Sequence, residues 1–228
     1  EIDVGMERCG VDPGRPAVDL ARRVADSPSL DLVGLMGYEG HAVGIADRAE
    51  RTETALRSLQ RVIETKHLCE DAGLEIREIT GGGTNTFDIT SKIPGWTELQ
   101  CGTYVTMDAG FRKHAGHAFV NAFWILSQVM SRPKAECVIL DCGRKTLAAE
   151  PSGLPVIDDP TGLELLSLSE EHGKVLRHPG APDLRPGDRV RVTPWHGCTT
   201  FNLHDKVYVL QDDEVVDVWS IAGRGKST

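Results

Sequence analysis

The feature that most constrains the fold is a change of pattern near residue 117. Before it, short apolar runs alternate with amphipathic helical stretches, which demands parallel strands joined by crossover helices. After it, β-rich runs follow one another across Pro, Gly and Asp turns, which demands antiparallel pairing. A chain carrying both patterns is α/β followed by all-β. Residues 1–117 are therefore expected to form part of a (β/α)8 barrel and residues 118–228 a separate antiparallel β domain. The boundary is placed in the stretch holding Arg112, His114 and His117, read as a connector.

Residues 2–5 read as a first strand, and Pro16, Val18, Ala21 and Val24 mark the helix after it. The apolar run 30–36 reads as a strand buried on both faces. Asp47 and Glu50 have capping-box spacing, and Ala55, Leu59, Val62, Ile63 and Cys69 keep helical period until Gly73. Residues 75–80 and 105–108 supply two more strands. The later β runs are 119–129, 137–141, 163–168, 189–193, 207–210 and 215–221. A closed barrel needs about 250 residues, and only about four strands fit before residue 110, so the barrel is partial and its edges lie open. Glu1 opens directly inside the first strand without a methionine, and residues preceding it are expected in the natural protein.

With 228 residues and 40% apolar side chains, the chain can bury a substantial core. A net charge of -9 argues against nucleic acid or an anionic membrane surface as partner and favours a small molecule. Cys9, Cys69, Cys101, Cys137, Cys142 and Cys198 are scattered, so a reducing cytoplasmic location is expected. No apolar stretch reaches the length of a membrane span.

Chemistry-bearing residues gather at the strand ends, where parallel sheets build their sites. Gly81, Gly82, Gly83 and Thr84 offer backbone N–H groups and a hydroxyl suited to a phosphate, or alternatively a tight turn. Arg8 follows the first strand, and Tyr38 and His41 follow the second. Residues 194–205 are the densest concentration of metal-binding side chains. There His196 and Cys198 stand two apart, so an extended backbone would present imidazole and thiolate on one face. Two protein ligands leave a coordination shell open, as a catalytic metal requires.

Seven blocks, residues 3–10, 37–41, 81–84, 98–108, 141–145, 171–173 and 194–205, occur in the order and spacing of one family. The chain resembles the D-threonine aldolase and D-serine dehydratase family of pyridoxal-phosphate enzymes, whose barrel is of the alanine-racemase type. The resemblance covers essentially the whole chain. It implies that Gly82, Gly83 and Thr84 cradle the cofactor phosphate with Tyr104 nearby. It places Arg8 beside the phenolic oxygen, Tyr38 near the pyridine nitrogen, and His196 with Cys198 on a divalent metal. Zinc is expected because thiolate is soft, with manganese or magnesium as alternatives. The family's Schiff-base lysine lies on a first barrel strand upstream of the region aligned with Glu1. Lys66 reads as ending a helix, Lys92 and Lys113 as loop residues, and Lys206 follows the metal run, so the catalytic lysine is not in this chain.

The activity implied is a lyase acting on D-3-hydroxy amino acids, in a homodimer. Dehydration of the D-serine or 3-hydroxyaspartate type is favoured, because aldolase members usually carry aspartate where Cys198 stands. Retro-aldol cleavage of the D-threonine type is the alternative, and an inactive fragment lacking the lysine is a second. A racemase is a weaker reading, since it gives the His-x-Cys pair no purpose.

Overall fold

The computed structural model describes residues 1–115, 118–148, 150 and 152–226. It forms two compact units, residues 1–104 and 105–228, a division upstream of the Arg112–His117 stretch. Gly116 and His117, and the side chain of His114, lie outside what is described.

The first unit contains helices α1 (Arg15–Ala25), α2 (Gly40–Val43), α3 (Arg48–Asp71) and α4 (Phe87–Thr90). Its strands are β1 (Gly34–Met36), β2 (Glu78–Gly81) and β3 (Glu98–Leu99), all parallel in the order β1-β2-β3. The Asp47 carboxylate accepts the Glu50 N–H at 2.8 Å and starts α3, while Gly73 follows its end at φ 80°. Helices α1 and α3 cover the sheet through Ala17, Val18, Ala21, Val62 and Cys69, which pack with Leu35, Ile76 and Ile79. A second cluster of Ala42, Ala55, Leu59 and Ile89 joins α2, α3 and α4.

Four strand expectations need correction here. Residues 2–5 make only one bridge, Ile2 to Val11, because the Asp3 carboxylate takes the N–H groups of Gly5 and Glu7 and turns the chain out of extension. Strands 30–36 and 75–80 shrink to the residues whose ladders register, Gly34–Met36 and Glu78–Gly81. Residues 105–108 are not a strand. Thr103–Val105 is a 3-10 turn, Met107 is left-handed at φ 52°, and the third strand is Glu98–Leu99.

The second unit begins with α5 (Ala109–Ala115), so Lys113 is helical rather than in a loop. It continues with β4 (Ile125–Lys134), β5 (Cys137–Leu140), β6 (Val156–Asp159), β7 (Leu163–Leu168), β8 (Gly173–Arg177) and β9 (Arg189–Thr193). These form one antiparallel sheet in the order β6-β9-β4-β5-β8-β7, around a core that includes Val129, Val138, Leu140, Leu165, Val175, Val190 and Val192. The expected 119–129 run starts pairing only at Ile125, and β6 and β8 were not anticipated. Helix α6 (Gly197–Phe201) interrupts the β pattern before the hairpin β10 (Lys206–Gln211) and β11 (Glu214–Ser220).

Candidate functional site

Loops leave the carboxyl edge of the parallel sheet after each strand, and one buried carboxylate ties two of them together. Glu39, just past β1, is fully buried. Its Oε2 accepts the Gly82 N–H at 3.1 Å, and its Oε1 accepts the hydroxyls of Thr86 at 2.6 Å and Thr90 at 3.0 Å. The Gly83 N–H donates to Thr86 Oγ1 at 2.9 Å. The N–H groups of both glycines are therefore engaged within the loop. The backbone N–H groups of Thr84 and Asn85 meet no acceptor among the described residues, and Asn85 Oδ1 is buried without a partner. A loop that leaves adjacent backbone donors open fits a phosphate, with the glycines supplying backbone shape rather than donors.

Of the other expected cofactor residues of the first unit, Tyr38 and Tyr104 meet this loop, and Arg8 reaches Tyr38. A Cβ on Gly83 would stand 3.3 Å from the Tyr38 hydroxyl and 3.2 Å from Val43 Cγ2, so only glycine lets Tyr38 lie against the loop without displacing a neighbour. The Arg8 guanidinium sits 5.5 Å from the centre of the Tyr38 ring. Burial, reinforced by Glu39, holds the Tyr38 phenol above its ordinary range while Arg8 opposes the shift. The Tyr104 N–H donates to Thr84 Oγ1 at 3.1 Å. His41 lies apart, its Nε2 3.1 Å from Ser58 Oγ. No lysine stands on β1, β2 or β3.

In the second unit the His-x-Cys backbone is not extended throughout. His196 has φ -133° and ψ 126°, but the chain enters α6 at Gly197, which places Cys198 in a helical turn. The alternation of faces along a strand therefore does not govern this pair. Cys198 is exposed, and no cluster of three or more His, Cys, Asp or Glu side chains suited to a metal occurs among the described residues. By type, imidazole and thiolate are donors that a borderline divalent ion such as zinc accepts.

Sequence reasoning missed the residue that organises this site. Asp108 is fully buried and accepts three hydrogen bonds: from the Phe111 N–H at 2.8 Å, from the Gly197 N–H at 2.9 Å and from His196 Nδ1 at 3.0 Å. Phe111 stacks on the imidazole at 5.9 Å between ring centres. The hydrogen bond to Asp108 raises the His196 pKa above 6.5, with partial burial working against it and the charges of Asp108 and Glu150 adding to it. The available signal was positional: an acid three residues before Phe111 is where a helix cap stands.

A parallel β/α unit with a strand-end glycine loop, followed in the chain by an antiparallel β unit, defines the alanine-racemase-like fold. Residues 1–109 match the family model described as "Alanine racemase, N-terminal domain", and residues 122–210 match that described as "Putative serine dehydratase domain". These matches bear out the resemblance to the D-threonine aldolase and D-serine dehydratase family. It is 37% identical to a D-threonine aldolase from Arthrobacter sp., across 100% of this chain and 60% of that one. The crystal structure of D-threonine aldolase from Filomicrobium marinum superposes with a TM-score of 0.93 at 32% identity, covering 99% of this chain and 62% of that one. The D-threo-3-hydroxyaspartate dehydratase from Delftia sp. HT23 shares the fold, with a TM-score of 0.84 at 23% identity over 98% of this chain and 65% of that one. The chain thus spans about 60% of the length of the curated relatives it matches. Among the described residues no helix is long and apolar enough to cross a membrane.

Proposed function

We propose that the complete protein is a pyridoxal-phosphate- and divalent-metal-dependent lyase of D-3-hydroxy amino acids, cleaving the Cα–Cβ bond. The observation that carries this reading is the similarity to D-threonine aldolase over the whole chain, joined to a glycine loop with open donors. Thr84 and Asn85 would hold the cofactor phosphate on their backbone N–H groups, with Gly82 and Gly83 shaping the loop and Tyr104 closing on Thr84. Arg8 and Tyr38 would line the ring. When bound, the cofactor supplies an electron sink for the bonds at the substrate Cα. His196 and Cys198 would hold the ion, which supplies Lewis acidity; an imidazole and thiolate pair selects zinc over manganese or magnesium. Asp108 holds the proton of His196 Nδ1, and Glu39 keeps the phosphate loop in one conformation. The small-molecule substrate is a D-amino acid carrying a 3-hydroxyl, and the assembly is a homodimer in the cytoplasm.

Dehydration is the second reading, and Cys198 is the observation that favours it. Aldolase identity is higher, 37% and 32% against 23% for the dehydratase, and this moves the preference toward carbon–carbon cleavage. The test uses the full-length protein with zinc and pyridoxal phosphate on D-threonine, D-serine and D-3-hydroxyaspartate. Glycine and an aldehyde as the main products support the aldolase reading. Ammonia and a 2-oxo acid as the main products replace it with the dehydratase, and absence of both removes the lyase assignment.

A further inference from the structure

We infer that Asp108 is a positioning residue for His196, fixing the imidazole in the tautomer that carries its proton on Nδ1 and leaves Nε2 as a bare electron pair. Both oxygens of this buried carboxylate accept backbone N–H groups, Oδ1 from Phe111 and Oδ2 from Gly197. An ionised carboxylate only accepts hydrogen bonds, so a ring nitrogen 3.0 Å from Oδ2 must be the donor. The two N–H groups come from α5 and α6, and the turn between them and β9 is tied by the Ala109 N–H to Pro194 O at 2.9 Å and the Gly110 N–H to Trp195 O at 3.0 Å. The carboxylate is thus anchored before the imidazole reaches it. Phe111 stacks on the imidazole with an interplanar angle of 18° and limits ring rotation.

The arrangement is that of a second carboxylate partner holding a ligand histidine, in which the outer acid sets orientation and tautomer. It rests on the metal reading only for its consequence on zinc affinity; the tautomer assignment stands on the geometry alone. Asp108 touches neither substrate nor ion in this role, because its effect passes through His196.

The test uses the full-length, metal-free protein with ring-15N histidine at a pH above the titration of His196, located from the pH dependence of the same ring signals. The His196 signals are assigned by their loss in His196→Gln. The expected spectrum shows a protonated Nδ1 and an unprotonated Nε2. Asp108→Asn, verified as folded by circular dichroism, should lose that tautomer preference and lower zinc affinity about 10–100-fold in chelator competition. A wild-type His196 protonated on Nε2 overturns the inference even if Asp108→Asn does not fold. A folded Asp108→Asn with unchanged tautomer and zinc affinity overturns it as well. A wild type that has the Nδ1 proton yet binds no zinc supports the positioning role and removes the metal reading instead.

Discussion

At the scale of single residues, two buried acids organise the two candidate sites, and neither was assigned from sequence. Glu39 and Asp108 both lie inside blocks that were singled out, beside Tyr38 and after Met107. Their roles were hidden because acidic side chains are mostly exposed, and nothing in a charge pattern says which one is buried. The placement of Tyr38, Gly83 and Thr84 beyond the carboxyl ends of parallel strands was legible, because such loops follow from the alternating β/α pattern. Glu39→Gln tests the buried acid. The amide oxygen can serve the two threonine hydroxyls or the Gly82 N–H, but the amide nitrogen then faces a donor on the other side. The expected cost is about 1–3 kcal/mol in denaturant unfolding, accompanied by weaker binding of pyridoxal phosphate in fluorescence titration. Unchanged stability and unchanged cofactor affinity would show that the loop holds its shape without the carboxylate.

At the scale of elements, the long helix was the most legible part of the chain. Asp47, Glu50 and Gly73 bracket α3 as the capping rules require, because helix signals are local in sequence. Strand ends were less legible, since a strand extends only as far as a partner registers, and partners are distant in sequence. The fit of β2 shows this dependence. A Cβ on Gly81 would run into the Gly37 carbonyl oxygen and stand 2.8 Å from the Trp96 ring, so the close approach of the two backbones needs glycine there. Gly81→Ala should therefore cost about 1–3 kcal/mol or more. Gly44→Ala is the matched control, because its Cβ meets nothing within 4 Å and its φ of -88° suits any residue. That change should be neutral or stabilising by up to about 1 kcal/mol. Equal losses in thermal unfolding would contradict the packing at β2. In the second unit, β7 and β9 matched their expected limits because each is a compact apolar run closed by turns, whereas α6 is too short to show a helical period.

At the scale of the whole molecule, the ionisable groups define the pH range of stability. The Asp183 carboxyl is held below its ordinary 3.8 by the hydrogen bond from Arg132, then by the charges of Arg132, Arg177 and Arg185. Burial raises Asp88, but the Arg48 guanidinium overrides it and leaves the group lowered. Groups depressed in the folded state contribute fully above their unfolded value of 3.8, and the contribution is lost as pH falls through the folded value. Burial raises the thiols of Cys69, Cys101 and Cys142 above 9.0, so above that pH the unfolded chain releases protons that the folded one retains, and stability falls again. These limits predict a plateau between about pH 4 and 9. His196 gives it a slope: its raised pKa adds stability that is complete below 6.5 and declines as pH rises through the folded value. Denaturant unfolding of the metal-free protein, measured across this range, should show stability decreasing gently above pH 6.5. In His196→Gln that decline should be absent while the falls at both extremes persist. A variant that keeps the same decline would assign it to another group and dissociate it from the Asp108 contact.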